Sequence, residues 1–112
     1  MDFYSARLLY VVLVDDGRSR KQQLYEESVI VFRARDLTAA SKKALKIGRS
    51  NETEYLNENE EKVRWALVQV ISVDYIGRKI DGEEVASRLH WRRSKMPVPF
   101  SRRFRPEASK KT

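Results

Sequence analysis

The run Phe3-Tyr4-Ser5-Ala6-Arg7-Leu8-Leu9-Tyr10-Val11-Val12-Leu13-Val14 decides how the chain folds. Successive side chains of a strand point to opposite faces, and here both sets are apolar. Phe3, Leu9, Val11 and Leu13 lie on one side; Tyr4, Leu8, Tyr10 and Val12 lie on the other. A strand of this kind belongs in the middle of a sheet with cover on both sides. A secretory leader fits poorly, because Asp2 replaces a basic start and Asp15-Asp16-Gly17 offers no small-residue cleavage site. The apolar stretch Leu8–Val14 also falls far short of the ~20 residues that span a bilayer. The expectation is a cytoplasmic protein without membrane contact.

Outward from this strand, residues 15–23 are polar and read as a loop. Leu24–Ala34 alternates again, with Tyr25, Val29 and Val31 on one parity and Leu24, Ile30, Phe32 and Ala34 on the other. The short connection predicts that the two strands pair antiparallel. Asp36 is an N-cap and Gly48 a C-terminal stop for an amphipathic helix that packs through Leu37, Ala40, Ala44 and Ile47. Residues 50–62 are acidic, with a short strand at Glu54-Tyr55-Leu56 turning at Asn57–Glu60. From Val63 the pattern is β: Val63, Trp65, Leu67, Ile71 and Val73 on one face, Ala66, Val68 and Val70 on the other. Ile80-Asp81-Gly82-Glu83 reads as a hairpin turn that returns Glu84–Trp91 as a strand. The fold class is α+β: an antiparallel sheet of about four strands, ordered β-β-α-β-β, with one helix on a face. One helix cannot shield the whole sheet, so either the C-terminal tail or a second subunit is expected to cover the remainder.

The chain of 112 residues has a net charge of +7, and the charge is unevenly placed. Residues 1–87 carry 14 Lys and Arg against 15 Asp and Glu, whereas residues 88–112 carry nine against one. The body is nearly neutral and the tail is a cation. All three prolines, Pro97, Pro99 and Pro106, also fall in the tail. These shifts divide the chain into an α+β domain, residues 1–93, and a basic Pro/Arg-rich tail, residues 94–112, expected to be extended and to fray at its end.

Catalytic chemistry has little to work with. No cysteine is present, which excludes disulfides and thiolate ligands, and no metal motif or Gly-rich phosphate loop occurs. No cofactor or small-molecule substrate is expected. The sole histidine, His90, lacks an accompanying nucleophile motif. Glu26 and Glu27 are adjacent in a strand, so they point to opposite faces. The inward one needs a cationic partner, and Arg7, Arg33, Arg64 and Arg88 are the strand arginines that could supply it. The acidic stretch Glu52, Glu54, Glu58, Glu60 and Glu61 lacks the order of a calcium loop and reads as solvated.

The tail is the remaining candidate. Arg92, Arg93, Lys95, Arg102, Arg103, Arg105, Lys110 and Lys111 are interleaved with Trp91, Phe100 and Phe104. Cations neutralise phosphates and release counterions, and aromatic rings stack on unpaired bases. Three outcomes stay open: an arm that binds nucleic acid or another polyanion, an arm that packs on its own sheet or a neighbour's, or an unstructured tail. The leading expectation is a non-enzymatic binding module whose tail engages nucleic acid. The alternative is a protein-interaction or homodimeric domain with the tail as a packing or swapped arm; an enzyme using Glu27 with Arg64 comes last.

Several stretches resemble a family of small bacterial proteins known as a domain of unknown function. They are Tyr4–Leu9, Leu24-Tyr25-Glu26-Glu27-Ser28-Val29-Ile30-Val31-Phe32-Arg33-Ala34, Ala39–Gly48, Val63-Arg64-Trp65 and Val85–Leu89. The Tyr-Glu-Glu-Ser strand followed by an Ala/Lys helix is the most specific part. The resemblance implies a stand-alone bacterial domain, supplies no activity, and leaves the basic tail outside it. It makes Glu27, Arg64 and Trp65 candidates for a shared surface or ion pair.

Overall fold

The computed structural model describes residues 1–18, 21–87 and 89–108. Four strands and a helix follow one another as β1 (Asp2–Asp15), β2 (Leu24–Ala34), α1 (Leu37–Ser50), β3 (Thr53–Leu56) and β4 (Lys62–Gly77). All pairings are antiparallel and the sheet order is β2-β1-β4-β3. β1 is central, as its two apolar faces require. It pairs with β2 from Asp2 opposite Ala34 to Val12 opposite Leu24, and with β4 from Phe3 opposite Gly77 to Asp15 opposite Lys62.

The order β-β-α-β-β is present, but the last strand differs from the sequence expectation. Glu83 N donates to Ile80 O at 3.2 Å, so the turn forms. Gly82 takes φ 77°, while Asp81 stays at negative φ. The two-residue hairpin turns whose twist matches their strands need positive φ at the first central residue, and type I′ needs it at the second as well. With Asp81 at negative φ the turn is neither kind, and residues 83–87 form no strand. They pass across the sheet face away from the helix, where Arg7 Nη2 donates to Ser87 O at 3.0 Å. The edge place beside β4 is taken by β3. Its turn is organised by Asn57, whose Oδ1 accepts from Asn59 N and Glu61 N at 2.9 and 3.0 Å. Glu60 closes that turn in the left-handed region, φ 59°.

Helix α1 begins as expected: Asp36 Oδ1 accepts from Ala39 N at 2.8 Å. It does not stop at Gly48. It continues to Ser50, with Asn51 as the C-cap. Gly48 instead lies against the sheet, where an added Cβ would stand 2.9 Å from Leu67 Cδ2 and 3.6 Å from Leu8 Cδ2. Ala40, Ala44 and Gly48 are the buried stripe of the helix, and Ile47 packs beside them. Leu37, expected in that contact, is 55% exposed at the start of the helix. Small residues therefore set the helix close to the sheet, and the core beneath is Tyr4, Ala6, Leu8, Tyr10, Phe32 and Ala34.

The face assignment of β4 also changes. Its register against β1 slips three times, leaving Val68, Ile71 and Ile76 without a direct partner. Each extra residue reverses parity downstream. Val70 lies opposite Leu8 and Val73 opposite Ala6, so both face the helix, whereas Ile71 is turned out and exposed.

Gly48 supplies the first test. A mid-helix glycine costs about 1 kcal/mol relative to alanine. Gly48→Ala recovers that propensity but must displace the Leu67 methyl groups, so its urea midpoint is expected to stay near that of the parent. Gly48→Val adds branched bulk at the same contact and is expected to lose about 1–3 kcal/mol by the same measurement.

Candidate polyanion-binding arm and clefts of the domain

The described tail carries no helix or strand between residues 89 and 105; a 3-10 turn follows at Pro106–Ala108. Arg102 N donates to Pro99 O at 3.0 Å, which turns the chain after the two prolines. Trp91 and Phe100 are fully exposed and Phe104 is 69% exposed. Arg92 Nε donates to His90 Nε2 at 3.1 Å, and the Arg102 guanidinium lies 5.6 Å from the Phe104 ring centre. Arg92, Arg93, Lys95, Arg102, Arg103 and Arg105 are all exposed, and among the described residues none is paired with a carboxylate. Trp91 and Phe100 cover no part of their own sheet. Lys110, Lys111 and Arg88 lie outside the described residues.

Glu27 and Arg64 share the face away from the helix but are not neighbours there, and Trp65 is on the other face. Directly opposed residues share a face, and Glu27 lies opposite Leu9 while Arg64 lies opposite Leu13, at different levels and on strands separated by β1. Trp65 lies opposite Val12 on the helix side. Among the described residues neither Glu26 nor Glu27 pairs with a strand arginine. Glu26, opposite Tyr10, looks to the helix side, whereas Arg7, Arg33 and Arg64 all sit on the other face. Arg33 lies 4.7 Å from the Phe3 ring centre, and Arg7 bonds Ser87. Lys62 and Glu54 approach to 3.9 Å, but both are largely exposed and such a pair contributes little.

Because α1 covers one part of its face, a polar cleft of about 140 Å³ remains beyond its C-terminus, lined by Tyr10, Glu26, Ser28, Asn51, Thr53 and Trp65. Tyr10 ties the cleft to the helix. Its hydroxyl donates to Gly48 O at 2.8 Å, satisfying a carbonyl of the last turn. Burial, then the Glu52 and Glu26 carboxylates, push the Tyr10 phenol above its ordinary value. Glu52 is not simply solvated as its composition suggested: its Oε2 accepts from Leu67 N at 2.9 Å, beyond the point where β3 ends. Nothing in the local sequence signals that role, since it depends on where the helix ends over the sheet. A more apolar groove of about 460 Å³ runs between Leu37, Ser41 and Leu45 of the helix and Val70–Val73 of β4. Among the described residues no group of His, Asp and Glu is placed to hold a metal ion, and no helix is long and apolar enough to cross a membrane.

Tyr10→Phe keeps the ring and removes the bond to Gly48 O, so a loss of about 0.5–1.5 kcal/mol is expected. A phenol whose pKa is raised on folding contributes stability that is intact below its unfolded value, near 10, and is lost as pH rises through the folded one. Urea unfolding between about pH 9 and 11 should therefore show a shallower alkaline decline in the variant than in the parent.

A family model matches residues 3–87, and it describes a domain of unknown function. No curated protein and no solved structure matches the chain. The matched span ends where the cationic segment begins.

Proposed function

The chain belongs to the family Domain of unknown function (DUF4288), and we propose that this member is a non-enzymatic binding module whose C-terminal arm engages nucleic acid. The observation that carries the reading is the separation of charge from fold. Nine of the 23 Lys and Arg residues lie in residues 88–112 with a single Glu, and the described ones reach solvent without an ion pair. A cation cluster whose described members meet no carboxylate of their own chain keeps its electrostatic pull for a polyanion. Arginine outnumbers lysine there, which suits two-point contact with phosphate oxygens. Trp91, Phe100 and Phe104 stand out among these cations and offer flat faces to unpaired bases. The α+β body serves as the scaffold from which the arm extends.

Fluorescence anisotropy with mixed-sequence oligonucleotides tests this directly. If about five phosphates are neutralised, log affinity for a duplex falls with log salt at a slope near −4 to −5. Arg102→Ala, Arg103→Ala and Arg105→Ala together should flatten that slope by about three times the single-contact increment of ~0.9. Phe100→Ala and Phe104→Ala should weaken single-stranded binding more than duplex binding. Equal binding by a chain truncated after Arg93 removes the distal arm from the account.

A further inference from the structure

β2 is an edge strand along its whole length. β1 pairs with one side of it from Leu24 to Ala34, and no described strand pairs with the other. Unpaired N–H and C=O groups along such an edge form a template for another strand. The usual protections are weak here. β2 has 11 residues, no proline, and an unbroken register against β1. Lys43 Nζ donates to Arg33 O at 2.7 Å near one end, but a carbonyl oxygen keeps a second lone pair. Helix α1 packs more against β4 than against β2, and its contact with β2 falls near the Phe32–Ala34 end.

The side chains of β2 say what fits there. On the face away from the helix it carries Tyr25, Glu27, Val29, Val31 and Arg33. Val29 and Val31 are 41% and 42% exposed, and Glu27 has no hydrogen bond or ion pair among the described residues. A second copy can approach antiparallel about a two-fold axis normal to the sheet. That symmetry keeps every residue on its own face, so opposed residues have the same parity.

The geometry points to an isologous homodimer in which β2 pairs with β2 of a second copy, centred on Ile30. Centring there sets Glu27 opposite the partner's Arg33, Val29 opposite the partner's Val31, and Ile30 opposite itself. The one carboxylate on this face of β2 meets the one guanidinium, twice, and each valine meets a valine. Centring on Val29 would set Glu27 against Val31 and Glu26 against Phe32. Centring on Val31 would set Val29 against Arg33. Opposite-charge and β-branched pairs across antiparallel strands are favourable, and the Ile30 register alone supplies both. The two sheets then form one of eight strands, with both helices on the same face. Strand pairing buries less than the ~1,200 Å² of a standard interface, so the dimer is expected to be weak and concentration-dependent.

Sedimentation equilibrium of the full chain tests this, with far-UV circular dichroism to confirm that each variant is folded. A monomer–dimer equilibrium is expected. Glu27→Arg and Arg33→Glu should each weaken it by at least about tenfold, by placing like charges opposite each other. The double variant E27R/R33E restores opposite-charge pairs and should return the dissociation constant toward that of the parent. A chain that stays monomeric to ~1 mM, where even a weak pairing of about −4 kcal/mol is half formed, overturns the proposal. So does a dimer that ignores both single substitutions, or a double variant no better than the singles. A dimer lost on truncation after Arg93 assigns association to the arm and overturns it equally.

Discussion

The contact between α1 and the sheet depends on three small residues at successive turns. Ala40, Ala44 and Gly48 are buried on one helical stripe, and no larger side chain separates the helix backbone from the sheet. The closeness lets the Tyr10 hydroxyl reach Gly48 O, which joins the central strand to the last turn of the helix. It also seals Leu8, which is fully buried between them. A larger residue at position 48 would act on all of these together, because interiors at crystalline density have little room to yield.

The position of the helix determines what the sheet leaves open. α1 lies mainly over β4, so the part of the same face lined by Tyr10, Glu26 and Ser28 stays uncovered, and β2 keeps a free edge. β4 outruns β3, and Glu52 supplies an acceptor to Leu67 N where the ladder ends. On the opposite face, the segment running through Glu84, Val85, Ala86 and Ser87 lies over Arg7, Ser72 and Asp74. The domain thus meets its backbone and surface demands unevenly. The β4 edge is partly satisfied within the chain, and among the described residues the β2 edge meets one lysine near one end.

How much of this was legible follows from the range of each interaction. The central strand, the β1–β2 hairpin, the Asp36 cap and the short strand at 54–56 are written in local periodicity and turn chemistry, and all are present. The bulges of β4 were not legible, because Val68, Ile71 and Ile76 are ordinary strand residues whose exclusion depends on register against β1. Gly48 reads as a stop by composition, yet its role is close approach, a property of two elements rather than one. Asp81-Gly82 reads as a hairpin, and the turn forms with the wrong backbone sign at Asp81 to make one. For the candidate site, the cationic segment was plain from charge alone. Sequence likeness carries no register, so it could not show that Glu27 and Arg64 share a face while Trp65 lies on the other.

Arg7 connects the arm to the free edge. It lies opposite Val29 of β2, and its guanidinium holds Ser87 O on the face away from the helix. Ser87 also lies beside Ser72, Asp74 and Tyr75 of β4, so the matched domain ends over the middle strands of this face. Neighbouring strands lie about 4.8 Å apart, so an axis beside Ile30 would leave the two departure points only a few strand widths from each other. Two cationic arms would then issue side by side from one face of a continuous sheet. The second arm would act at an effective concentration set by that short separation rather than by the bulk. Pairing at the edge and charge in the arm are independent features of the sequence, and in such a dimer the Arg7–Ser87 bond would start both arms from one face of the sheet.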